Sequence, residues 1–272
     1  MSETLNVAIT QLTSVDDSQK NLNQIVQVLE KINTDVDIVF FPENCLYMRV
    51  AEGEQVPFFK LEDPLFQTLA NEAKKRNLVL HLGSIPMELP SGKYNCSVVI
   101  DQQGQIIPSY QKIHLFDIQL TGQNAIQESD VFNHGEKPSV LKVKDWKIGQ
   151  SICYDLRFSE LYGIYAQQEV DLIIVPSAFL VKTGQAHWEV LLRARAIESQ
   201  AYVLASAQSG QHQSTRSQTI RETYGQAMII DPWGQILKQM GNFSPAVEVL
   251  SLSKQRIAEV RRQIPMKNHR RI

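Results

Sequence analysis

The chain has 272 residues, 43% of them hydrophobic, which is enough to bury a large core as one domain or two fused halves. Its formal net charge of −2 gives no electrostatic reason to expect nucleic acid or an anionic membrane as a partner. No apolar run approaches the ~18 residues of a membrane span, and the N-terminus lacks the basic and apolar regions of a secretion signal. Three widely spaced cysteines indicate neither a disulfide framework nor a zinc site. We therefore expect a soluble, cytoplasmic protein.

Strand and helix patterns alternate along the first half of the chain. Strand patterns cover residues 5–12, 36–41 and 78–83, helix patterns cover 18–32 and 63–76, and two hairpin strands cover 96–100 and 105–110. The strand at 36–41 stops at Pro42, and Pro64 suits the first turn of the second helix. This alternation predicts an α/β fold with some antiparallel pairing.

The second half repeats two features of the first in the same order and at nearly the same offset. Residues 170–176 (VDLIIVP) echo 36–42 (VDIVFFP), and the hairpin at 229–237 echoes the one at 99–107. Turn chemistry alone could account for two Asp-x-x-Gly hairpins. Two similar halves are the stronger interpretation, with helices covering one face of each sheet and the other faces packed together. The expected fold is a four-layer α-β-β-α sandwich with two pseudo-symmetric halves, in a single domain over residues 1–272.

The stretch from Trp146 to Arg157 contains the main candidate for a catalytic residue in the second half. A buried strand pattern over residues 148–153 leads through a turn into a helical pattern over 158–168. This arrangement places Cys153 at the carboxyl end of a strand, where α/β sheets carry their chemistry, and a thiol near a helix start can be held as thiolate. The alternative is a buried structural cysteine, since free cysteines are usually buried.

Two charged residues follow other predicted strands. Glu43 comes directly after the strand that ends at Pro42, where a partly desolvated carboxylate would suit proton transfer. Lys112 follows the strand ending at Tyr110, and an ammonium group fixed there could stabilise an oxyanion or a nearby thiolate. Taken separately, each residue could equally be a solvated charge at a strand end.

Together these residues resemble the Glu–Lys–Cys signature of the nitrilase (carbon–nitrogen hydrolase) superfamily. The matching motifs are Phe41-Pro-Glu43, Tyr110-Gln-Lys112 and Cys153-Tyr-Asp-Leu-Arg157. Further motifs, at residues 176–179, 183–198 and 231–234, resemble the Nit amidase branch, and within it the deaminated glutathione amidases most of all. True nitrilases typically continue the cysteine with Trp-Glu, so Tyr154 and Asp155 favour an amide substrate.

The resemblance implies a mechanism and a set of site residues. Glu43 would take the proton from Cys153, the thiolate would form a thioester with the substrate's acyl group, and water would then hydrolyse it. Lys112 and the backbone N–H groups near Cys153 and Tyr154 would stabilise the oxyanion, and a second glutamate, Glu128, would hydrogen-bond the lysine or position substrate. Further substrate-binding or supporting candidates are Tyr154, Arg157, Phe179 and Thr183. For Arg157 a structural ion pair is an equal alternative, and no metal or organic cofactor is implied.

The expected substrate is deaminated glutathione, cleaved to a 2-oxo acid and an amine. The alternatives are an ω-amidase acting on 2-oxoglutaramate with release of ammonia, an N-acyltransferase, and a binding protein on the same fold. The last would be expected to have lost Glu43, Lys112 or Cys153, and all three are present.

Three further expectations concern the second half. The polar segment 211–223 lacks apolar periodicity and is predicted to be a mobile loop beside the pocket, whose deletion would change substrate preference more than stability. His187 is expected to begin a helix over residues 187–200, whose apolar residues on more than one face suit a homodimer or higher homo-oligomer. Neither His114 nor His187 is expected to be essential while Glu43 is available as the base.

Overall fold

The computed structural model describes residues 3–119 and 125–271, and within these ranges the chain forms sixteen strands and six α-helices. The strands are β1 Thr4–Leu12, β2 Ile38–Phe40, β3 Val79–Leu89, β4 Gly92–Ile100, β5 Ile106–Gln111, β6 Asp117–Ile118, β7 Ile126–Gln127, β8 Val140–Val143, β9 Trp146–Gln150, β10 Leu172–Ile174, β11 Tyr202–Ala205, β12 Ala207–Gln213, β13 Ile220–Tyr224, β14 Met228–Ile230, β15 Ile236–Gln239 and β16 Ala246–Ser253. The helices are α1 Ser18–Glu30, α2 Pro64–Arg76, α3 Ser159–Gln167, α4 Val181–Ser199, α5 Lys254–Gln263 and α6 Met266–His269. None of the helices in these ranges is long and apolar enough to cross a bilayer.

Two sheets carry the same core topology. In the first, the strand order is β13-β12-β1-β2-β3-β4-β5, with β16 also paired to β1, and in the second it is β15-β14-β11-β10-β9-β8. β1, β2 and β3 are parallel and are followed by the antiparallel β4 and β5. β9, β10 and β11 are likewise parallel and are followed by the antiparallel β14 and β15. The two pseudo-symmetric halves expected from the sequence are therefore present.

The layers follow from side-chain alternation within the strands, since successive side chains of a strand point to opposite faces. In β1, Val7 and Ile9 join the core between the sheets, whereas Ala8 joins the core beneath α1 and α2. On the far side, α3 and α4 cover the second sheet with buried residues such as Tyr162 and Leu192. The order of layers is thus α-β-β-α, as the sequence predicted.

The two Asp-x-x-Gly hairpins agree atom by atom. In the first, Gly104 N–H donates to Asp101 O at 2.8 Å, and Asp101 Oδ1 accepts from Gln103 N and Gln105 N. In the second, Gly234 N–H donates to Asp231 O at 2.9 Å, and Asp231 Oδ1 accepts from the equivalent two amides, Trp233 N and Gln235 N. Because each hairpin also joins the two strands at one edge of its sheet, the match reflects the symmetry of the fold rather than turn chemistry alone.

The prediction of an unanchored loop at residues 211–223 is wrong. Most of the segment belongs to the antiparallel hairpin of β12 and β13. Polar contacts anchor the hairpin in place of apolar ones: the buried His212 bonds Ser14 O and Thr223 Oγ1, and Ser214 Oγ donates to Asp16 at 2.6 Å. All five of these residues are buried polar groups, and Asp16 is completely buried.

The predicted start of the helix at His187 is also wrong, because α4 begins six residues earlier, at Val181. Gly184 lies in its first turns, although glycine is a poor helix former. A Cβ atom at this position would come within 2.3 Å of the Tyr224 ring, so the helix packs against β13 at a distance only glycine permits.

Candidate active site

The pocket at the seam between the sheets is built from loops that follow strands of both halves. Glu43 follows β2, Lys112 follows β5 and Cys153 follows β9, and all three line this one pocket. After Glu43 the chain turns sharply, with Asn44 in the left-handed region at φ 58° and its N–H bonded to Ser84 Oγ. The structure thus brings together the three residues that the sequence singled out.

A buried cation lies between two carboxylates in this pocket. Lys112 Nζ is 2.9 Å from Glu43 Oε1 and 2.8 Å from Glu128 Oε2, and the lysine is only 2% exposed. Burial alone would lower the pKa of Lys112, but the charges of Glu128 and Glu43 outweigh it and hold that pKa well above its ordinary value. The lysine therefore stays an ammonium group, able to stabilise negative charge on a bound substrate. The expected bond between Glu128 and the lysine is present.

Asn95 is a site residue that the sequence reasoning missed. Its side-chain amide donates to Glu43 Oε1 at 3.3 Å and to Glu128 Oε1 at 2.9 Å, so it bridges the two carboxylates. The other oxygen of Glu43 accepts the Ala178 N–H at 3.0 Å. Glu43 is thereby fixed in orientation by donors from both halves of the fold. The sequence signal that could have identified Asn95 is its position as a lone amide side chain in the middle of the apolar strand β4.

The backbone at Cys153 adopts an unusual conformation. Its φ of 48° lies in the left-handed region, which costs a non-glycine residue about 1 kcal/mol or more and is often found at functional sites. Its N–H donates to Pro176 O at 2.9 Å, so this group is not free to bind an oxyanion as the sequence analysis expected. Within the described part of the chain the Tyr154 N–H donates to no acceptor, which leaves it as the backbone donor beside the thiol.

The surroundings of Cys153 favour the protonated form of its thiol. Burial and the negative charge of Glu43 raise its pKa well above the ordinary value, and Lys112 offsets this only in part. The sequence analysis considered both a thiolate held near the helix start and a thiol from which Glu43 takes the proton, and the raised pKa favours the second. A base must remove the proton before the sulfur can attack, and the Glu43 carboxylate lines the same pocket.

Asp155 fixes the turn that carries the cysteine. This completely buried carboxylate accepts the Ile152 N–H, the Tyr110 hydroxyl, and both the backbone N–H and Nδ1 of His114, at 2.7 to 2.9 Å. It therefore joins the loop after β5, which holds Lys112, to the turn at Cys153. The sequence analysis used Asp155 only as a family marker and missed this structural role.

The remaining candidates lie on the substrate side of the pocket, which Tyr154, Arg157, Phe179 and Thr183 all line. Arg157 forms no ion pair among the described residues. Its guanidinium lies over the rings of Tyr154 and Phe179 at 5.7 and 5.4 Å, and one nitrogen contacts His187 Nδ1. The alternative of a structural ion pair for Arg157 is therefore not observed among the described residues, and its guanidinium lines the pocket. His114 stacks on Phe158 and does not line the pocket.

Two further arginines of the pocket, Arg49 and Arg221, were not singled out from the sequence. Arg221 lies on β13, in the segment expected to border the site. In residues 3–119 and 125–271 no group of three or more histidine, cysteine, aspartate or glutamate side chains is arranged to bind a metal.

A four-layer sandwich with a glutamate, a lysine and a cysteine gathered at the seam of its halves is the arrangement of a carbon–nitrogen hydrolase. The chain belongs to the carbon-nitrogen hydrolase family, whose sequence model matches residues 6–262. The resemblance drawn from the motifs of the sequence is thereby confirmed, and with it the expectation of a hydrolase acting on carbon–nitrogen bonds.

Similar proteins span the whole length of the chain. A deaminated glutathione amidase from Yersinia enterocolitica is 36% identical over 271 residues, covering 98% of this chain and 93% of the relative. One from Dictyostelium discoideum is 32% identical, and the match covers 100% of this chain and 96% of that relative. The crystal structure of Saccharomyces cerevisiae Nit3, a member of branch 10 of the nitrilase superfamily, is 28% identical with a TM-score of 0.85, covering 100% and 98% of the two chains.

Proposed function

We propose that the protein hydrolyses the amide bond of deaminated glutathione, giving 2-oxoglutarate and cysteinylglycine, with Cys153 as nucleophile. The observation that carries the proposal is the buried Glu43–Lys112–Glu128 cluster in the same pocket as the Cys153 thiol and Arg157, which forms no ion pair among the described residues. A 2-oxo acid substrate carries a carboxylate, and a guanidinium group is its natural partner. The relatives named as deaminated glutathione amidases support the same substrate.

In the first step Glu43 takes the proton from the Cys153 thiol, and the sulfur forms a bond to the carbonyl carbon of the amide. The carbonyl π electrons move to oxygen. Lys112 and the Tyr154 N–H stabilise the oxyanion, and preorganised donors of this kind contribute about 3–4 kcal/mol each to the barrier reduction. Glu128 and Asn95 keep Lys112 and Glu43 in place during this change of charge.

The tetrahedral intermediate then breaks its C–N bond. Glu43 returns the proton to the departing nitrogen, so that cysteinylglycine leaves as a neutral amine and the acyl group stays on Cys153 as a thioester. Water enters and loses a proton to Glu43 as its oxygen attacks the thioester. The C–S bond breaks, the sulfur recovers its proton from Glu43, and the 2-oxo acid leaves.

The test is a substrate panel with the purified protein. Deaminated glutathione, 2-oxoglutaramate, a simple aliphatic amide and a nitrile are compared by kcat/KM, with product acid and released amine both measured. We expect deaminated glutathione to rank first and 2-oxoglutaramate second. Cys153→Ala is the control, because it should abolish hydrolysis of every compound while folding is retained. Preference for the nitrile, or for the simple amide over both oxo acids, contradicts the proposal.

Added amines test the acyltransferase alternative in the same assay. If water is the preferred acyl acceptor, glycinamide at moderate concentration should leave the yield of 2-oxo acid nearly unchanged. A predominant acyl-glycinamide product at low amine concentration would instead favour acyl transfer.

We further propose that the protein is a homodimer that works in a reducing cytoplasm. The α4 patch, which consists of Val190, Ile197 and Trp233, exposes large apolar side chains, and Ile197 packs beside Gly234 next to Trp233. Exposed apolar groups at such a density are typical of an interface. Sedimentation of the wild type and of Ile197→Glu should give a dimer and a monomer, respectively. The free Cys153 thiol suits a reducing compartment.

A further inference from the structure

Arg49 and Arg221 place a second group of positive charge in the pocket, apart from Lys112 and Arg157. Both side chains line it, and Arg221 Nη1 donates to the backbone oxygen of Arg49 at 3.1 Å. Arg221 is carried by β13, whose partner strand is anchored by the buried His212. The bridge between Leu180 and Thr223 ties the same hairpin to the wall of the pocket. Arg221 is therefore held at the pocket by regular structure.

Neither arginine is paired with a carboxylate in the part of the chain that the structure describes. No ion pair joins either one to a carboxylate in residues 3–119 and 125–271, and residues 120–124 (LTGQN) contain no acidic side chain. A guanidinium has five N–H donors. For Arg221 only the bond to Arg49 O is formed within those ranges, and the Arg49 side chain donates none. The two guanidinium groups repel each other, and an anion bound between them would relieve this repulsion.

The pKa of Arg221 reflects the charges that surround its guanidinium group. Its pKa lies below the ordinary value chiefly because the pocket partly desolvates the guanidinium; the charge of Glu43 acts in the opposite direction, and Arg49 lowers the pKa further. Arg221 therefore faces the reacting groups while sharing its surroundings with a like charge.

The pair lies where the pocket opens into an outer groove. Arg49, Arg221, Ile126 and Leu180 line both spaces, whereas Arg157 lines only the inner one. The acyl group must stay beside Cys153 after the C–N bond breaks, so it occupies the inner space. The amine must depart, so it lies toward the groove.

We propose that Arg49 and Arg221 form a second carboxylate-binding subsite, which holds the terminal carboxylate of the leaving amine. The proposal rests on the function proposed above, because deaminated glutathione has one carboxylate on each side of its scissile amide. Arg157 takes the 2-oxo acid carboxylate and the arginine pair takes the glycine carboxylate. Farther out, the groove is lined by Glu52, Glu54 and Asp130, so the arginine pair carries the positive charge among its lining residues.

The alternative role for Arg221 is to balance the charge of Glu43 and Glu128. The two roles predict different results, because charge balance affects every substrate and carboxylate binding affects only substrates that carry the distal carboxylate. The measurement is therefore a ratio of kcat/KM values for two substrates. One is deaminated glutathione, and the other is its ethylamide analogue, in which ethylamine replaces the terminal glycine.

We expect the wild type to prefer the carboxylate-bearing substrate, and Arg221→Gln and Arg49→Gln each to reduce this preference about tenfold or more, the value of a charged hydrogen bond. Arg216→Gln is the matched control. Arg216 lies in the same hairpin and pairs with Glu54 outside the pocket, so the ratio should remain that of the wild type. Equal loss on both substrates, or a ratio within twofold of the wild type in Arg221→Gln, overturns the subsite.

A second measurement is independent of the natural substrate. N-bromoacetylglycine and N-bromoacetylethylamine alkylate Cys153 by displacement of bromide, with the proton passing to Glu43, and differ in the distal carboxylate. The wild type should react faster with the glycine reagent, and Arg221→Gln should lose that difference. If the substrate panel fails but this difference appears, only the substrate assignment is wrong. If turnover occurs but the wild type alkylates equally fast with both reagents, the subsite is wrong.

Discussion

Replacing Lys112 by methionine should destabilise the protein by about 3–5 kcal/mol at neutral pH, the usual effect of removing one partner from a buried ion pair. The side-chain volume changes little, so the effect is electrostatic. Two contacts of 2.9 and 2.8 Å are lost, and Glu43 and Glu128 then face each other across a buried space without a cation. Activity should fall about 10²–10³-fold as well, because the oxyanion loses a donor.

The loss of stability should depend on pH in a defined direction. In the variant, one of the two carboxylates binds a proton in the folded state at a pH where the unfolded chain has released it. Folding then takes up a proton, so the stability of the variant rises as the pH falls. The difference from the wild type should shrink by up to about 1.4 kcal/mol per pH unit below neutrality.

Urea unfolding followed by tryptophan fluorescence at pH 8, 7 and 6 measures this difference. Adding Glu128→Gln to Lys112→Met should recover much of the stability, because it removes one of the two facing charges. Lys75→Met, at an exposed lysine of α2, controls for the chemical change itself. A destabilisation that is the same at pH 6 and pH 8, and that Glu128→Gln does not relieve, would refute the electrostatic reasoning.

Three other outcomes are expected. Iodoacetamide should label Cys153 alone in the folded protein, as checked by peptide mass spectrometry, because Cys153 lines the pocket beside the carboxylate of Glu43. Cys45 and Cys96 are completely buried, which raises the pKa of each to about 12 and leaves each without such a base in that pocket, so labelling of either would contradict this. Burial lowers the pKa of His81 and His212 from the ordinary 6.5 to about 4, so both side chains are neutral in the folded protein at neutral pH. The free energy of unfolding should therefore fall as the pH drops from 6.5 to 4, by up to about 3 kcal/mol for each histidine. Urea titrations at pH 7 and 5 measure this slope, which should be flatter in His81→Gln. His212→Phe should cost about 2–3 kcal/mol through two lost buried hydrogen bonds; unchanged stability would mean that the hairpin is not anchored there.

The sequence was sufficient for the symmetry of the fold and for the three central residues. Apolar runs at strand spacing and the two Asp-x-x-Gly turns are local signals, so β2, β10 and both hairpins could be located from them. Glu43 and Cys153 could be found because each directly follows such a run. Their meeting in one pocket follows from the topology, which places the ends of strands from both halves at a common seam.

The parts that were mispredicted depend on contacts between distant residues. The hairpin of β12 and β13 is held by bonds from His212 and Ser214 to residues 198 positions earlier in the chain, and no local pattern reports them. The early start of α4 depends on Gly184 fitting against Tyr224. The bridging role of Asn95 and the protonation of the Cys153 thiol both arise from burial beside charges, which appears only after folding.

The division of the site between the halves makes hydrolysis conditional on their assembly. A fragment ending near residue 135 would contain Glu43, Lys112 and Glu128 but no nucleophile, and the complementary fragment would contain Cys153 without its base. The second fragment also supplies β12, β13 and β16 to the first sheet, so the two would interlock on meeting. The rate of amide hydrolysis by separately produced fragments would then be proportional to the number of reassembled molecules. The enzyme could serve as a split reporter of association.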